Sequence, residues 1–167
     1  MKKKMDLRTF VRIAMLTALA AMLTIFPQIP TGTGGYVHFG DSVIYLAAIF
    51  MGPLPGAAVG AVGHALADVL TGYGVFALPT FLIKGLMGFA VGKIAAGKLD
   101  VRHFAAAGAA ALGIVTFGYF LAEIPLYGLG AAAAVFVSSP VQWLMSVAAS
   151  ALLIPLFRKI SKKIGLK

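Results

Sequence analysis

The amino-acid sequence predicts an all-α integral membrane protein of six transmembrane helices with both termini in the cytoplasm, and three observations predict it. First, hydrophobic residues fill 60% of the 167 positions and charged residues only 11%, for a mean hydropathy of +0.97. A soluble domain of this length has too little interior to hide that much apolar surface, so its solvent is lipid. Second, the apolar residues fall in runs separated by glycine and proline. At roughly 20 residues per span, the length holds about six crossings joined by short loops. We therefore treat residues 1–167 as a single transmembrane domain. Third, Lys2, Lys3, Lys4, Arg8 and Arg12 open the first helix, Lys93, Lys98 and Arg102 surround the turn between the fourth and fifth, and Arg158, Lys159, Lys162, Lys163 and Lys167 follow the sixth. With six spans all of these face one side, and positive charge marks the cytoplasmic face of the plasma membrane. Five or seven spans would scatter them. The net charge of +9 is thereby a topology signal and not the footprint of a nucleic-acid partner.

The helices follow in order. Helix 1 covers about Leu7 to Phe26 and stops at Pro27. Its basic, apolar start resembles a signal peptide, but the run is long and lacks a small-residue cleavage site, so a retained first span is expected. A segment rich in glycine and proline, Pro27 to Gly40, leads to a short helix 2, Asp41 to Met51, with Asp41 or Ser42 as N-cap. After a Gly52-Pro53-Leu54-Pro55 turn, helix 3 covers Gly56 to Leu70. Helix 4 covers Pro79 to Ala96, and helix 5 covers Phe104 to Ala122, broken by Glu123-Ile124-Pro125. Ser139-Pro140 opens helix 6, which reaches Phe157. Short segments interrupted by glycine and proline, such as helices 2 and 3, accompany binding cavities in transporters and also form re-entrant hairpins that bind nothing.

With no cysteine, the chain has no disulfide, thiolate nucleophile or cysteine-ligated metal. In this topology His38, Asp41, Asp68, Lys84 and Glu123 fall toward the outer half. Ionisable groups there face a cavity or a partner, because lipid penalises them by at least about 2.5–3.5 kcal/mol. Asp68 and Lys84 stand on either side of the third turn at matching depth. Gly56, Gly60, His64 and Asp68 repeat at spacing four on helix 3, as do Lys84, Gly88 and Gly92 on helix 4. Small residues at that spacing let helices approach closely. The expectation is an Asp68–Lys84 pair facing the interior, either locking the helices or contacting a ligand. His64 four residues before Asp68 has metal-ligand spacing. Two ligands are too few, so His64 is expected to be a hydrogen-bonded interior histidine and no metal site is assigned.

Tyr36, Phe39, Tyr45, Tyr73, Phe76, Tyr119, Tyr127 and Trp143 gather at the outer side, as an interfacial belt or as a stacking wall for a flat ring. The segment Tyr36-Val37-His38-Phe39-Gly40-Asp41-Ser42 favours the wall, because it collects aromatic, imidazole, carboxylate and hydroxyl groups on a loop that can close over a ligand. Gln142, beside Trp143, adds an amide. The candidate binding set is therefore Tyr36, His38, Phe39, Asp41, Tyr45, His64, Asp68, Lys84, Gln142 and Trp143. On helix 1, Ala14 and Ala18 form a small-residue stripe suited to packing, within the chain or against another membrane subunit. The chain carries no GxxxxGK[ST] signature, so energy for transport has to come from a partner or an ion gradient.

These features resemble the S components of energy-coupling factor (ECF) transporters. The resemblance rests on size, six helices, the Ala14-x-x-x-Ala18 stripe, Gly35 to Ser42, Gly52-Pro53-Leu54-Pro55-Gly56, Ala67-Asp68, Pro79-Thr80 and Lys84-Gly85-Leu86-Met87-Gly88. It is closest to the riboflavin-type and hydroxymethylpyrimidine/pyridoxine-type branch. It implies capture of a vitamin or precursor from outside, a gate after helix 1, and docking through Ala14 and Ala18 onto a transmembrane coupling subunit joined to two ATPases. ATP is then used by those partners, and no cofactor is expected in this chain. Met1-Lys2-Lys3-Lys4 departs from the histidine-rich start of the metal-transporting branch, which argues against cobalt or nickel as cargo. A hydroxymethylpyrimidine- or pyridoxine-like ring is favoured over riboflavin, because Lys84 is available to meet an oxygen or an anionic group. Two rival readings are an autonomous proton-coupled carrier using Asp68 and Lys84 as a relay, and an intramembrane enzyme using Asp68 and His64 as acid and base. The chain shows no nucleophile–base set for the latter.

Overall fold

The apolar runs fold into six α-helices in a computed structural model that describes residues 6–30 and 36–163. The helices are α1 (Leu7–Ile25), α2 (Asp41–Met51), α3 (Pro53–Leu70), α4 (Ala77–Ala95), α5 (Val101–Ala132) and α6 (Val135–Lys163). All but α2 are long and apolar enough to cross a membrane. Lys2, Lys3, Lys4, Gly35 and Lys167 lie outside the described residues.

The helix starts follow local chemistry. Asp6 caps α1 by accepting the Thr9 amide at 2.8 Å, and Asp100 caps α5 by accepting the His103 amide at 3.1 Å. These bonds hold both carboxyls below the usual carboxylate range, Asp6 chiefly through Thr9 and Asp100 chiefly through His103. The expected cap of α2 is corrected. Gly40 occupies the N-cap and Asp41 is the first helical residue, its carboxylate engaged elsewhere. Two short strands not expected from sequence, β1 (Ile29–Pro30) and β2 (Tyr36–Val37), pair antiparallel before α2, with Ile29 opposite Val37.

Two further expectations are corrected. Helix 5 does not end at Ala122: it runs through Pro125 to Ala132, with its break at Gly128, where φ is 81°. Helix 6 starts at Val135, upstream of Ser139-Pro140, and extends beyond Phe157 to Lys163. Proline removes one donor and bends a helix, but in lipid the cheapest way to satisfy neighbouring backbone groups is to resume the helix.

α2 forms the centre of the bundle. Every residue from Asp41 to Ile49 is buried, as a helix apolar on every side beyond its first turn demands. Ile44, Tyr45, Ala48 and Ile49 pack with Met87 and Val91 of α4 and Ala111 and Val115 of α5, while Val43 and Ala47 pack with Leu16 and Ala20 of α1 and Val59 of α3. Gly52, at φ 98°, turns the chain from α2 into α3, a conformation that side chains resist. α3 and α4 make the most extensive helix pair. A Cβ on Gly60 would strike the Lys84 carbonyl, and one on Gly88 would strike the Gly56 carbonyl, so backbone meets backbone along the glycine ridge.

Candidate functional site

At the end of the bundle away from the α4–α5 turn, α3, α5, α6 and the β2 segment enclose a cavity with about 660 Å³ of empty space counted to its mouth. α3 contributes His64 and Asp68, four residues apart on one face. α5 contributes Val115, Tyr119 and Glu123 by the same spacing, and α6 contributes Val135, Ser139 and Gln142. Tyr36, Val37 and His38 of the β2 segment, Thr24 of α1, Thr80 of α4, and Tyr73 and Phe76 of the α3–α4 turn complete it.

A buried polar network underlies the floor. Lys84 Nζ donates to both Asp41 oxygens at 2.8 Å, Gln142 Nε2 donates to Asp41 Oδ2 at 2.8 Å, and His64 Nε2 lies 3.1 Å from Asp41 Oδ1. Lys84 and His64 are 1% exposed and Asp41 3%, so this is an ion pair out of water, held by hydrogen bonds from α4 and α6 and faced by His64 of α3. The Lys84 ammonium also lies 5.6 Å from the Tyr119 ring centroid. His64 Nδ1 faces the Gly60 carbonyl at 3.1 Å, so both of its ring nitrogens face acceptors. His38 Nδ1 accepts the Gly40 amide at 3.1 Å, which leaves Nε2 to carry the proton of its neutral ring.

The expected Asp68–Lys84 pair is therefore corrected. Lys84 pairs with Asp41, and Asp68 Oδ1 instead accepts the Tyr36 hydroxyl at 2.6 Å, tying the β2 segment to the end of α3. Tyr36 in turn meets the Tyr73 ring at 4.8 Å between centroids. Among the candidate residues, Tyr36, His38, His64, Asp68 and Gln142 line the cavity. Asp41, Tyr45 and Trp143 instead line a smaller space of about 220 Å³ behind it, with Gln142 on the boundary between the two. Trp143 Nε1 donates to the Gly108 carbonyl at 2.8 Å, so the indole ties α6 to α5. Phe39 lines neither space, and its carbonyl accepts the Ser42 hydroxyl at 2.7 Å at the start of α2. Lys84 lies beneath the floor and is not in the lining. Tyr73, Phe76 and Tyr119 of the outer aromatic group, and Glu123 of the outer polar group, join the lining although they are not in the candidate binding set, and Thr24, Thr80 and Ser139 are not singled out as ligand contacts by the sequence. The Val115–Tyr119–Glu123 repeat was the available signal for the α5 wall.

His38, Asp41 and His64 bring ligand atoms within 4.8 Å of one another. The donor set does not fit a divalent cation, because the ammonium of Lys84 already neutralises Asp41 at bonding distance and would repel one. Ala14 and Ala18 both face outward on α1, among exposed Val11, Met15 and Met22.

A cavity of mixed polar and aromatic lining, a short second helix and an apolar exterior are the features of a membrane protein with a small-molecule site, and the comparisons with known proteins agree. Residues 4–162 match the family described as ECF-type riboflavin transporter, S component, and the chain belongs to that family. The family is one of substrate-binding subunits of ECF transporters. The chain is 38% identical over 120 residues to a protein of Pyrococcus woesei described as an uncharacterized protein in gap 3'region, a match covering 71% of this chain and 80% of that protein. It is 33% identical over 105 residues to a UPF0397 protein of Enterococcus faecalis, covering 62% of this chain and 56% of the relative. A UPF0397 protein of Phytoplasma australiense is 30% identical over 92 residues, covering 55% and 47%. The chain thus matches about half the length of these two UPF0397 relatives.

Proposed function

We propose that this protein captures a small flat heterocycle from outside the cell in the cavity beneath the β2 segment, and passes it inward as the specificity subunit of a vitamin-uptake transporter. The carrying observation is the cavity itself, where a few polar groups from α3, α5, α6 and the β2 segment converge among aromatic rings. A hydroxymethylpyrimidine- or pyridoxine-like ring is the cargo we propose, with riboflavin, named in the family description, next, although the Lys84 contact expected to favour the smaller ring is taken up by Asp41. With Lys84 neutralised by Asp41, the cargo meets Tyr36, His38, Asp68 and Gln142 first. The Tyr36–Asp68 bond makes the β2 segment the natural gate, since a ligand entering from outside has to part it.

In this reading Ala14 and Ala18 dock on a transmembrane coupling subunit, and two ATPases joined to it supply the energy. The outward apolar face of α1 supports it, because lipid and a partner helix are its two available neighbours. The test is purification of the intact protein, identification of co-purified small molecules by mass spectrometry, and co-expression with a coupling module. A nitrogen heterocycle is expected in the wild type. Ala14→Trp is expected to keep that compound and lose co-purification with the module. Uptake that proceeds without any ATPase would replace this reading with an autonomous carrier.

A further inference from the structure

The buried charges of the site do not balance. Lys84 and Asp41 cancel within their network, and among the described residues no lysine or arginine lines the cavity. Two carboxylates remain in the lining. Asp68 is 4% exposed, and while its Oδ1 holds the Tyr36 hydroxyl, its buried Oδ2 has no hydrogen-bond partner among the described residues. Glu123 is 8% exposed and has no hydrogen-bond or ion-pair partner among the described residues. A buried carboxyl without a donor is penalised either as an anion short of partners or as a neutral acid with an unmet acceptor. Native structures leave such groups where a ligand supplies what is missing. The rest of the lining suits the same ligand, because it includes the aromatic rings of Tyr36, Tyr73 and Phe76, and aromatic rings attract a flat cation more than a neutral or anionic ring.

We infer that the cavity selects a positively charged flat nitrogen heterocycle, one whose N–H groups reach Asp68 and Glu123, over neutral or anionic rings of the same shape. The inference rests on the capture function proposed above and adds the charge class of the cargo. An amidinium- or aminopyrimidinium-like edge has the required geometry, with planar N–H donors pointing outward from an aromatic ring toward carboxylate oxygens.

Three isosteric probes test it on the full-length protein in nanodiscs: benzamidine (cationic), benzamide (neutral) and benzoate (anionic), with binding followed by calorimetry. Benzamidine is expected to bind at least about tenfold more tightly than benzamide, the value of one charge-assisted hydrogen bond, with benzoate weakest. Glu123→Gln and Asp68→Asn are each expected to shrink the ratio of benzamidine to benzamide affinity, measured within the same variant, by about tenfold. The wild-type ranking decides the inference without any variant. Benzamide or benzoate binding as tightly as benzamidine overturns it, as does a preference that survives in both folded variants. A neutral or anionic compound co-purifying in the cavity overturns the charge class and leaves capture standing. No compound co-purified and no probe bound at millimolar concentration overturns both.

Discussion

Asp41 holds the interior together through its carboxylate, and its neighbours show where reading by residue type succeeds and where it stops. The sequence marks Asp41, His64, Asp68 and Lys84 as interior groups, because lipid leaves no other place for them. Their pairing was not legible. Helical spacing gives depth along α3 and α4, and depth alone matched Asp68 to Lys84. The partner was decided instead by the β2 segment, which descends beside the last turn of α1, where the Phe39 amide meets the Leu23 carbonyl at 3.2 Å. This puts Asp41, at the start of α2, within reach of Lys84, where the helix N-terminus also favours negative charge. Removing one partner strands the other. Lys84→Met is expected to destabilise the protein by about 3–5 kcal/mol through an uncompensated buried carboxylate. Asp41→Asn combined with Lys84→Met is expected to recover most of that loss. Thermal unfolding in detergent measures both, and a double variant no more stable than Lys84→Met would show that the pair is not the source of the effect.

At the scale of elements, the close approach of α3 and α4 was visible as glycines four apart, because in lipid the small side chain is itself the packing signal. The contact is backbone on backbone. Gly88→Ala is expected to cost about 1–3 kcal/mol by overpacking against the Gly56 carbonyl. Gly113→Ala on α5, where a Cβ meets nothing within 4 Å, is expected to be neutral or to stabilise by up to about 1 kcal/mol. Comparing the melting temperatures of the two variants separates packing from helix propensity, and equal losses would refute the ridge as a contact. The course of α5 and α6 was less legible. Pro125 and Pro140 read as boundaries, yet both lie within helices, and Gly128 carries the actual break. Trp143 reads as one of the outer aromatic residues that form an interfacial belt or a stacking wall, and the structure ties it to α5. The Gly108 carbonyl that it reaches lies 35 residues away on α5, beyond what local pattern reveals.

For the whole molecule, α2 decides how the chain crosses the membrane. Its 11 residues rise about 16 Å, roughly half the hydrocarbon thickness. Its C-terminal end nevertheless reaches the level of the α4–α5 turn, where the Gly97 amide meets the Ile49 carbonyl at 2.9 Å. The β2 segment covers the outer half, as non-helical backbone that lines a cavity is able to do. In our reading the second crossing is thus composite, six crossings result, and the α4–α5 turn lies on the cytoplasmic side with Lys93, Lys98 and Arg102 while the α3–α4 turn faces out. Because the sequence has no cysteine, single introduced cysteines report the topology directly. Val75→Cys, exposed in the α3–α4 turn, is expected to react with a membrane-impermeant maleimide on intact cells. Lys98→Cys is expected to react only after permeabilisation. If α2 and the β2 segment instead formed a re-entrant hairpin that returned to its own side, α3 would start from the outer face and the turn at Val75 would lie inside. The labelling pattern would then reverse, and the cavity would open to the cytoplasm, where it is unable to capture an external cargo.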